Sequence, residues 1–174
     1  MSDVDSVNLA LLAFRAAIAA VMLAHGINHI FGGGKIEGTG RWFASLGMKP
    51  GILHAWLASL TEVAGGALLV LGLFTPLAGA AVIGVMLVAL ITNHRGNGFF
   101  IFRPGEGWEY VMTLTFCGFL LAVVGPGQWS LDRAFHIRDN LTGTNGLLIA
   151  LIAGVGGALA LLAVFWRPER EQAA

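Results

Sequence analysis

The chain has 174 residues and a formal net charge of zero, with 56% apolar and 11% charged residues. A soluble domain has about 45–50% apolar and about 25% charged residues, so the few charges here cannot cover a water-exposed surface, and the same composition excludes a disordered chain. The zero net charge argues against a nucleic-acid partner, and the single Cys117 excludes a disulfide framework and a cysteine-based metal site. The composition therefore predicts an integral membrane protein in the lipid bilayer.

Apolar runs recur along the chain at lengths that suit membrane helices. A spanning helix needs about 20 residues, with a range of about 17–25, and the two shorter runs reach this length only with their flanks. The predicted spans are Leu9–Phe31, Ile52–Phe74, Leu77–Thr92, Trp108–Val124 and Leu147–Trp166. Only Thr75–Pro76 separates the second span from the third, so these two helices must be antiparallel neighbours. The predicted fold class is an all-α membrane helix bundle.

The basic residues between the spans predict the orientation of the chain. Cytoplasmic loops of membrane proteins carry an excess of Lys and Arg. With five spans, one side collects Lys35, Arg41, Lys49, Arg95, Arg103, Arg167 and Arg170, and the other holds Arg133 and Arg138. We therefore expect a multi-pass protein of the cytoplasmic membrane, with its N-terminus outside and its C-terminus in the cytoplasm.

Ionisable side chains within the spans require an explanation, because inserting each one at the centre of a membrane helix costs about 2.5–3.5 kcal/mol of free energy. Arg15 and Glu62 lie in the first and second spans. Counted along antiparallel helices, Glu62 falls between the levels of Arg15 and His25, so it can pair with either. We expect Arg15 and Glu62 to form an internal polar pair, which either fixes the register of the two helices or belongs to a functional site.

A second polar group is expected at the cytoplasmic ends of the helices. His25 and His29 are four residues apart and share a helix face. The antiparallel topology brings further polar residues to their level, namely His54, Asn93, His94, Arg95, Glu109 and Tyr110. These histidines can also bond backbone carbonyls or lipid headgroups without forming a site.

Three chemistries can use this polar group. A quinone site needs apolar walls, hydrogen-bond donors and a group that exchanges protons, and the residues predicted to contact the quinone are His25, His29, His94, Glu109 and Tyr110. Haem b needs axial histidines from two facing helices, so it stays a less favoured alternative. A histidine–carboxylate metal site lacks a recognisable motif, and we predict neither a metal nor a catalytic residue.

A series of short motifs runs through most of the chain. They are Arg15, His25-Gly26, Lys35, Trp42-Phe43-Ala44-Ser45-Leu46-Gly47, Glu62, Gly65-Gly66, Leu71-Gly72-Leu73-Phe74-Thr75-Pro76, Gly98-Phe99, Gly107-Trp108-Glu109-Tyr110, Gly125-Pro126-Gly127 and Ser130-Leu131-Asp132. In this order they resemble the DoxX family of small bacterial membrane proteins. The resemblance implies a four-helix core at residues 8–134, followed at 135–174 by a connection, a fifth transmembrane helix and a short charged tail. Pro76 departs from the Lys or Arg that the family often has there, and His29 is an addition to the first-helix motif.

The resemblance implies a role next to redox enzymes, because the family includes the small membrane subunit of a thiosulfate:quinone oxidoreductase. The leading hypothesis is a membrane subunit of an oxidoreductase complex that anchors a membrane or peripheral redox enzyme and helps to form a quinone site. The alternatives are a non-enzymatic assembly or scaffold protein and, less favoured, a small transporter that uses Glu62 as its proton site. Surfaces of small residues also allow a homo-oligomer.

Overall fold

A computed structural model describes residues 2–168, and all the named elements in this range are helices. The helices are α1 Asp3–Phe31, α2 Lys35–Ser45, α3 Gly51–Leu71, α4 Thr75–His94, α5 Glu109–Val124, α6 Leu131–Ala134, α7 Arg138–Leu141 and α8 Thr144–Phe165. Four of them, α1, α3, α4 and α8, are long and apolar enough to cross a membrane, and α5 is a shorter apolar helix. The predicted all-α membrane bundle is therefore confirmed. Arg170, which entered the count of basic residues, lies outside the described range.

Helix α1 begins six residues before the predicted Leu9, because Ser2 and Asp5 cap its first turn. The Ser2 hydroxyl accepts from the backbone N–H of Asp5 at 3.2 Å, and the Asp5 carboxylate accepts from the backbone N–H of Ser2 at 3.3 Å. This reciprocal capping box satisfies amide groups that a helix N-terminus otherwise leaves free. The added turns bring Asn8 beside the loop after α5, where its side-chain oxygen accepts from the backbone N–H of Gln128 at 2.8 Å.

The turn between α3 and α4 is as tight as predicted, and it is held by Asp132 from a distant loop. Gly72 has a positive φ of 61°, which lets α3 end within one residue. The Asp132 carboxylate accepts from the backbone N–H groups of Phe74 at 2.6 Å and Thr75 at 2.9 Å. A buried carboxylate thus caps the N-terminus of α4, where the helix dipole favours a negative charge.

Glycines set how closely the membrane helices approach one another. A Cβ added at Gly79 of α4 would lie 2.5 Å from the carbonyl oxygen of Gly118 on α5, and one at Gly118 would lie 2.8 Å from the carbonyl oxygen of Gly79. On the other side of the bundle, a Cβ at Gly66 of α3 would meet the Leu23 side chain of α1 at 2.7 Å. The absence of side chains at these positions lets the helix backbones pack closely.

Helix α8 runs beside α4, and its end is fastened to the connection between α2 and α3. A Cβ at Gly154 would lie 3.0 Å from the Ile83 side chain of α4. The Trp166 indole donates to the carbonyl of Leu46 at 3.0 Å, and the backbone N–H of Arg167 donates to the carbonyl of Gly47 at 2.7 Å. Helix α3 also packs against α4, and its first turn meets the end of α8, because His54 packs on Phe165.

The five apolar helices alternate in direction, which gives the bundle two distinct ends. One end, here called the histidine end, holds His29, His54 and His94 together with α2. The other, here called the Arg15 end, holds Arg15 and the turn between α3 and α4. This arrangement places the start of α1 and the end of α8 at opposite ends of the bundle.

Candidate functional site

A cavity of about 530 Å³ lies between the helices at the histidine end and extends along α4. It is called the central cavity below. Its walls are mostly apolar, and its polar lining residues are His25, His29, His54, Thr61, Glu62, Thr92, Asn93, His94, Glu106 and Tyr110. A mostly apolar cavity with a few convergent polar groups is typical of a small-molecule site.

The most buried charge in this cavity is Glu62, and it contacts His29. The Nδ1 atom of His29 on α1 lies 3.1 Å from Oε2 of Glu62 on α3, and the Glu62 side chain is only 3% exposed. Both atoms are buried, and within residues 2–168 neither makes a hydrogen bond, so the 3.1 Å approach is an ion-pair contact without hydrogen-bond geometry. In a hydrogen bond between these atoms the carboxylate would accept, so Nδ1 of His29 would donate and Nε2 would be left for a bound molecule.

His54 brings a second buried imidazole to the cavity from the first turn of α3. Its side chain is nearly inaccessible, and its Nε2 atom is without a hydrogen-bond partner in the described part of the chain. The ring packs edge-on against Phe165 of α8, with 5.0 Å between the ring centroids. A buried polar atom without a partner costs free energy, so Nε2 of His54 is a ready contact for a bound molecule.

His94 lines the cavity but has both ring nitrogens engaged by the protein. Its Nδ1 donates to the backbone carbonyl of Glu106 at 2.9 Å, and its Nε2 lies 3.3 Å from the amide nitrogen of Asn93. Since a carbonyl only accepts, Nε2 is the acceptor of the neutral ring. His94 therefore fixes the loop before α5 against α4, and in this arrangement it offers no free nitrogen to a haem iron.

His25 and Tyr110 form the rim of the cavity between α1 and α5. The two rings are stacked with 6.2 Å between their centroids, and Nδ1 of His25 donates to the carbonyl of Val21 at 2.9 Å. Glu109, which the sequence groups with Tyr110, does not line the cavity. Its carboxylate accepts from the backbone N–H of Ile101 at 3.2 Å, so it supports the loop between α4 and α5.

Arg15 does not pair with Glu62, contrary to the expectation from the sequence. The buried guanidinium donates to the carbonyl of Trp129, lies against Gly72, and is within electrostatic reach of Asp132. Gly72 is ten residues from Glu62 along α3, or about 15 Å. Arg15 is thus an internal polar group of the opposite end, and Glu62 pairs with a histidine instead.

Several cavity residues were not part of the predicted site. The roof at the histidine end is aromatic, because Trp42 and Phe43 of α2 pack edge-to-face with 5.1 Å between their centroids. Phe43 in turn meets the His29 ring edge-on at 6.4 Å. The sequence of this segment does not indicate that α2 folds over the cavity. His54 lies at the level that the sequence predicts. Its burial, which the sequence does not show, is what sets it apart from the other polar residues at that level.

The arrangement suits the binding of a neutral ring with oxygen substituents. Among residues 2–168, no group of three or more His, Cys, Asp or Glu side chains could hold a metal ion. The lining within the same range contains neither Lys nor Arg, the residues that usually bind phosphate and carboxylate groups. The cavity offers imidazole nitrogens, two glutamate residues and aromatic faces.

Comparisons with known proteins agree with the fold. The DoxX family model matches residues 10–95. The chain is 34% identical over 132 residues to Inner membrane protein YphA of Escherichia coli (strain K12), and this alignment covers 71% of the chain and 88% of the relative. No solved structure gives a significant match. The segment that matches the family model contains α2, α3, α4 and most of α1, including the His29–Glu62 contact.

Proposed function

Because the chain belongs to the DoxX family of membrane proteins, we propose that it is a membrane subunit of an oxidoreductase complex and that its central cavity binds a quinone. The observation that carries this proposal is the His29–Glu62 contact of 3.1 Å in the wall of a mostly apolar cavity. Its volume of about 530 Å³ lies within the roughly 300–1,000 Å³ of small-molecule sites. The cavity thus combines a size, a lining and a titratable pair that suit a quinone ring.

In the proposed site, the cavity residues both bind the quinone ring and exchange protons with it. Neutral His29 accepts a hydrogen bond at Nε2, and protonated His29 donates one from the same atom. The Glu62 carboxylate faces Nδ1 of the same ring at 3.1 Å. His54 supplies the second ring nitrogen, and Trp42 and Phe43 cover the ring face. A bound quinone supplies the redox chemistry, which takes up or releases protons together with electrons.

Electrons enter or leave through a partner. Residues 2–168 hold one cysteine, which is free, and the sequence lacks a flavin or nucleotide motif. We therefore infer that a membrane or peripheral redox enzyme docks on this subunit and exchanges electrons with the quinone. The proposed location is the inner membrane, the location that the name of the YphA relative gives for that protein.

The test is quinone binding to the protein in lipid nanodiscs, with one substitution made at two histidines. His29→Asn removes the titratable ring and keeps a polar group beside Glu62. His136→Asn makes the same change at an exposed position of the Arg15 end. We expect His29→Asn to weaken binding of a decyl benzoquinone about tenfold, the loss of one hydrogen bond to a charged group. We expect His136→Asn to leave the dissociation constant unchanged.

The scaffold alternative predicts a different result for the same variants. If His29 and Glu62 only hold helices together, wild type shows no saturable quinone binding, and His29→Asn alters thermal stability alone. Equal weakening by both variants would also contradict the proposed site. Chemical cross-linking in native membranes, followed by purification, tests the partner separately. Recovery of a redox enzyme supports the complex, whereas repeated recovery of this chain without one contradicts it.

A further inference from the structure

The buried carboxylate of Glu62 exchanges protons only if a route connects it to water. Its side chain is 3% exposed, and its Oε2 atom is inaccessible to solvent. In the proposed function, reduction of a quinone ring to the quinol takes up one proton for each electron. The docked redox enzyme supplies the electrons, so the protons have to reach the cavity from water by a route within this chain.

Two titratable side chains lead from the surface of the histidine end towards Glu62. Glu106, in the loop between α4 and α5, is exposed, and it lines the central cavity. Tyr110, in the first turn of α5, is half-buried and also lines the cavity. It is within electrostatic reach of both Glu106 and Glu62. The phenol is thus placed to connect a carboxylate that water reaches with one that water does not reach.

The loop holds the backbone of Glu106 at the mouth of the cavity. Nδ1 of His94 donates to the Glu106 carbonyl at 2.9 Å, and the Asn97 amide donates to the same carbonyl at 3.1 Å. Glu106 has a positive φ of 62°, a conformation that glycine adopts freely and that is uncommon for other residues. Within residues 2–168 its carboxylate makes no ion pair. A strained position with a free carboxylate indicates a role for the side chain itself.

The other titratable residues that line the cavity are histidines, and one of them competes with Glu106 as the entry point. They are His25, His29, His54 and His94. Of these, only His25 is exposed. It lies within α1, which continues to Phe31, or about 9 Å further along the helix, and its Nδ1 already donates to the carbonyl of Val21. Glu106 lies in a loop, where water has direct access, and this favours Glu106.

We propose that Glu106 is the proton-entry residue of the central cavity, and that protons pass from it by way of Tyr110 to Glu62 and His29. This inference rests on the proposed function for the use that is made of the protons. It assigns a role to Glu106, and it gives Tyr110 a role in proton transfer at the rim.

Each transfer moves one proton and leaves the phenol neutral. The Tyr110 hydroxyl accepts a proton from the Glu106 side while it gives its own proton to the Glu62 side. Water bridges the gaps, since the cavity of about 530 Å³ has room for molecules that each take up about 30 Å³. Glu106 then regains a proton from the solvent at the histidine end.

Infrared spectroscopy of the protein in nanodiscs follows the protonation of Glu62 directly. A protonated carboxyl group has a carbonyl band that an ionised carboxylate lacks, and Glu62→Gln identifies the band of this residue. The rate at which the band forms is measured after a rapid drop in pH. Glu109→Gln is the matched control for Glu106→Gln, because Glu109 does not line the cavity and Gln keeps an acceptor for the backbone N–H of Ile101.

We expect Glu106→Gln and Tyr110→Phe each to slow the formation of the Glu62 band about a hundredfold, at the low end of what a positioned proton-transfer group contributes. The final height of the band should stay close to that of wild type, because a route changes the rate and not the equilibrium. Glu106→Asp, which keeps a carboxyl group, should restore most of the rate. Glu109→Gln should be as fast as wild type.

An unchanged rate in Glu106→Gln would overturn the inference, and so would a Glu62 band that does not respond to pH. Slowing by His25→Asn alone would show that protons enter at His25 instead. The protein carries no quinone in this experiment, so the result is independent of the binding test. Quinone binding with unchanged protonation keeps the proposed function and removes the proton route. Slowed protonation without quinone binding keeps the route and removes its proposed use.

Discussion

The Nδ1 atom of His29 lies 3.1 Å from Oε2 of Glu62, and this contact joins α1 to α3. Gly26, one turn before His29, packs directly on α3, because an added Cβ would lie 2.9 Å from the carbonyl oxygen of Ser59. The close approach of the two backbones brings the imidazole within reach of the carboxylate. The same contact is therefore both a structural tie and the titratable pair of the proposed site.

A double-mutant cycle measures the energy of this contact. Glu62 is the more buried partner, so His29→Ala, which leaves its carboxylate unpaired, should lower the free energy of unfolding by about 3 kcal/mol. Glu62→Ala should lower it by about 1–2 kcal/mol. The double variant should lose less unfolding free energy than the two single variants lose together, and the difference, the coupling energy, should be about 1–2 kcal/mol. Unfolding in mixed micelles, followed by circular dichroism, gives these values.

Additive losses in this cycle would mean that the two side chains do not interact. A parallel cycle between His29 and Asp139 provides the control, because Asp139 is exposed near the opposite end of the bundle. We expect no coupling there, since distant residues without shared partners contribute additively within about 0.3–0.5 kcal/mol.

Asp132 should be the most sensitive carboxylate at the Arg15 end. Asp132→Ala removes the cap of α4 and the negative charge near buried Arg15. We expect a loss of about 3 kcal/mol in the free energy of unfolding. Asp132→Asn, which keeps one acceptor oxygen, should cost about half as much. Asp139→Ala serves as the control and should stay within about 0.5 kcal/mol of wild type; a loss as large as that of Asp132→Ala would contradict the capping role.

The close contact between α4 and α5 should not tolerate a larger residue. Gly79→Val places a branched side chain where a Cβ alone would lie 2.5 Å from the carbonyl oxygen of Gly118. We expect the helices to separate, at a cost of about 1–3 kcal/mol and a lower melting temperature. Gly96→Val is the control, because a Cβ there meets no atom within 4 Å. Equal melting temperatures for the two variants would show that the contact is looser than described.

Labelling of single cysteines tests the proposed orientation. In a Cys117→Ala background, Ser2→Cys should react with a membrane-impermeant maleimide in intact spheroplasts. Ala174→Cys should react only after the membrane is opened, because five crossings together with the positive-inside bias predict a cytoplasmic C-terminus. Reaction of both from one side would contradict five crossings, and the reverse pattern would contradict the orientation.

The sequence predicts the membrane helices well because apolar length alone decides whether a segment spans the membrane. Ile52–Phe74 and Trp108–Val124 correspond closely to α3 and α5. The last turns of α4 differ, since Leu90–His94 widens into a π-helix. The division of the chain at residue 134 stays a prediction, because the family model extends only from residue 10 to residue 95.

The site was harder to predict because it depends on the register between helices. Aligning the ends of the first two spans places Glu62 between Arg15 and His25. Packing instead sets Arg15 level with Gly72 and Glu62 beside Gly26, and the His29 ring, one turn further along α1, reaches the Glu62 carboxylate. The partner of Arg15 is a loop carbonyl 114 residues away, and no periodic pattern indicates such a contact. The roles of His25, His29, His94 and Tyr110 in quinone binding stay predictions.

Photoaffinity labelling with an azido-quinone tests the central claim most directly, because it maps where the ring lies in the native membrane. We predict adducts in the peptides that contain His25–His29 and His54–Glu62, and unlabelled quinone should suppress them. Labelling that is confined to the loop of Phe99–Phe102, or that excess quinone does not reduce, would contradict a quinone site in the central cavity.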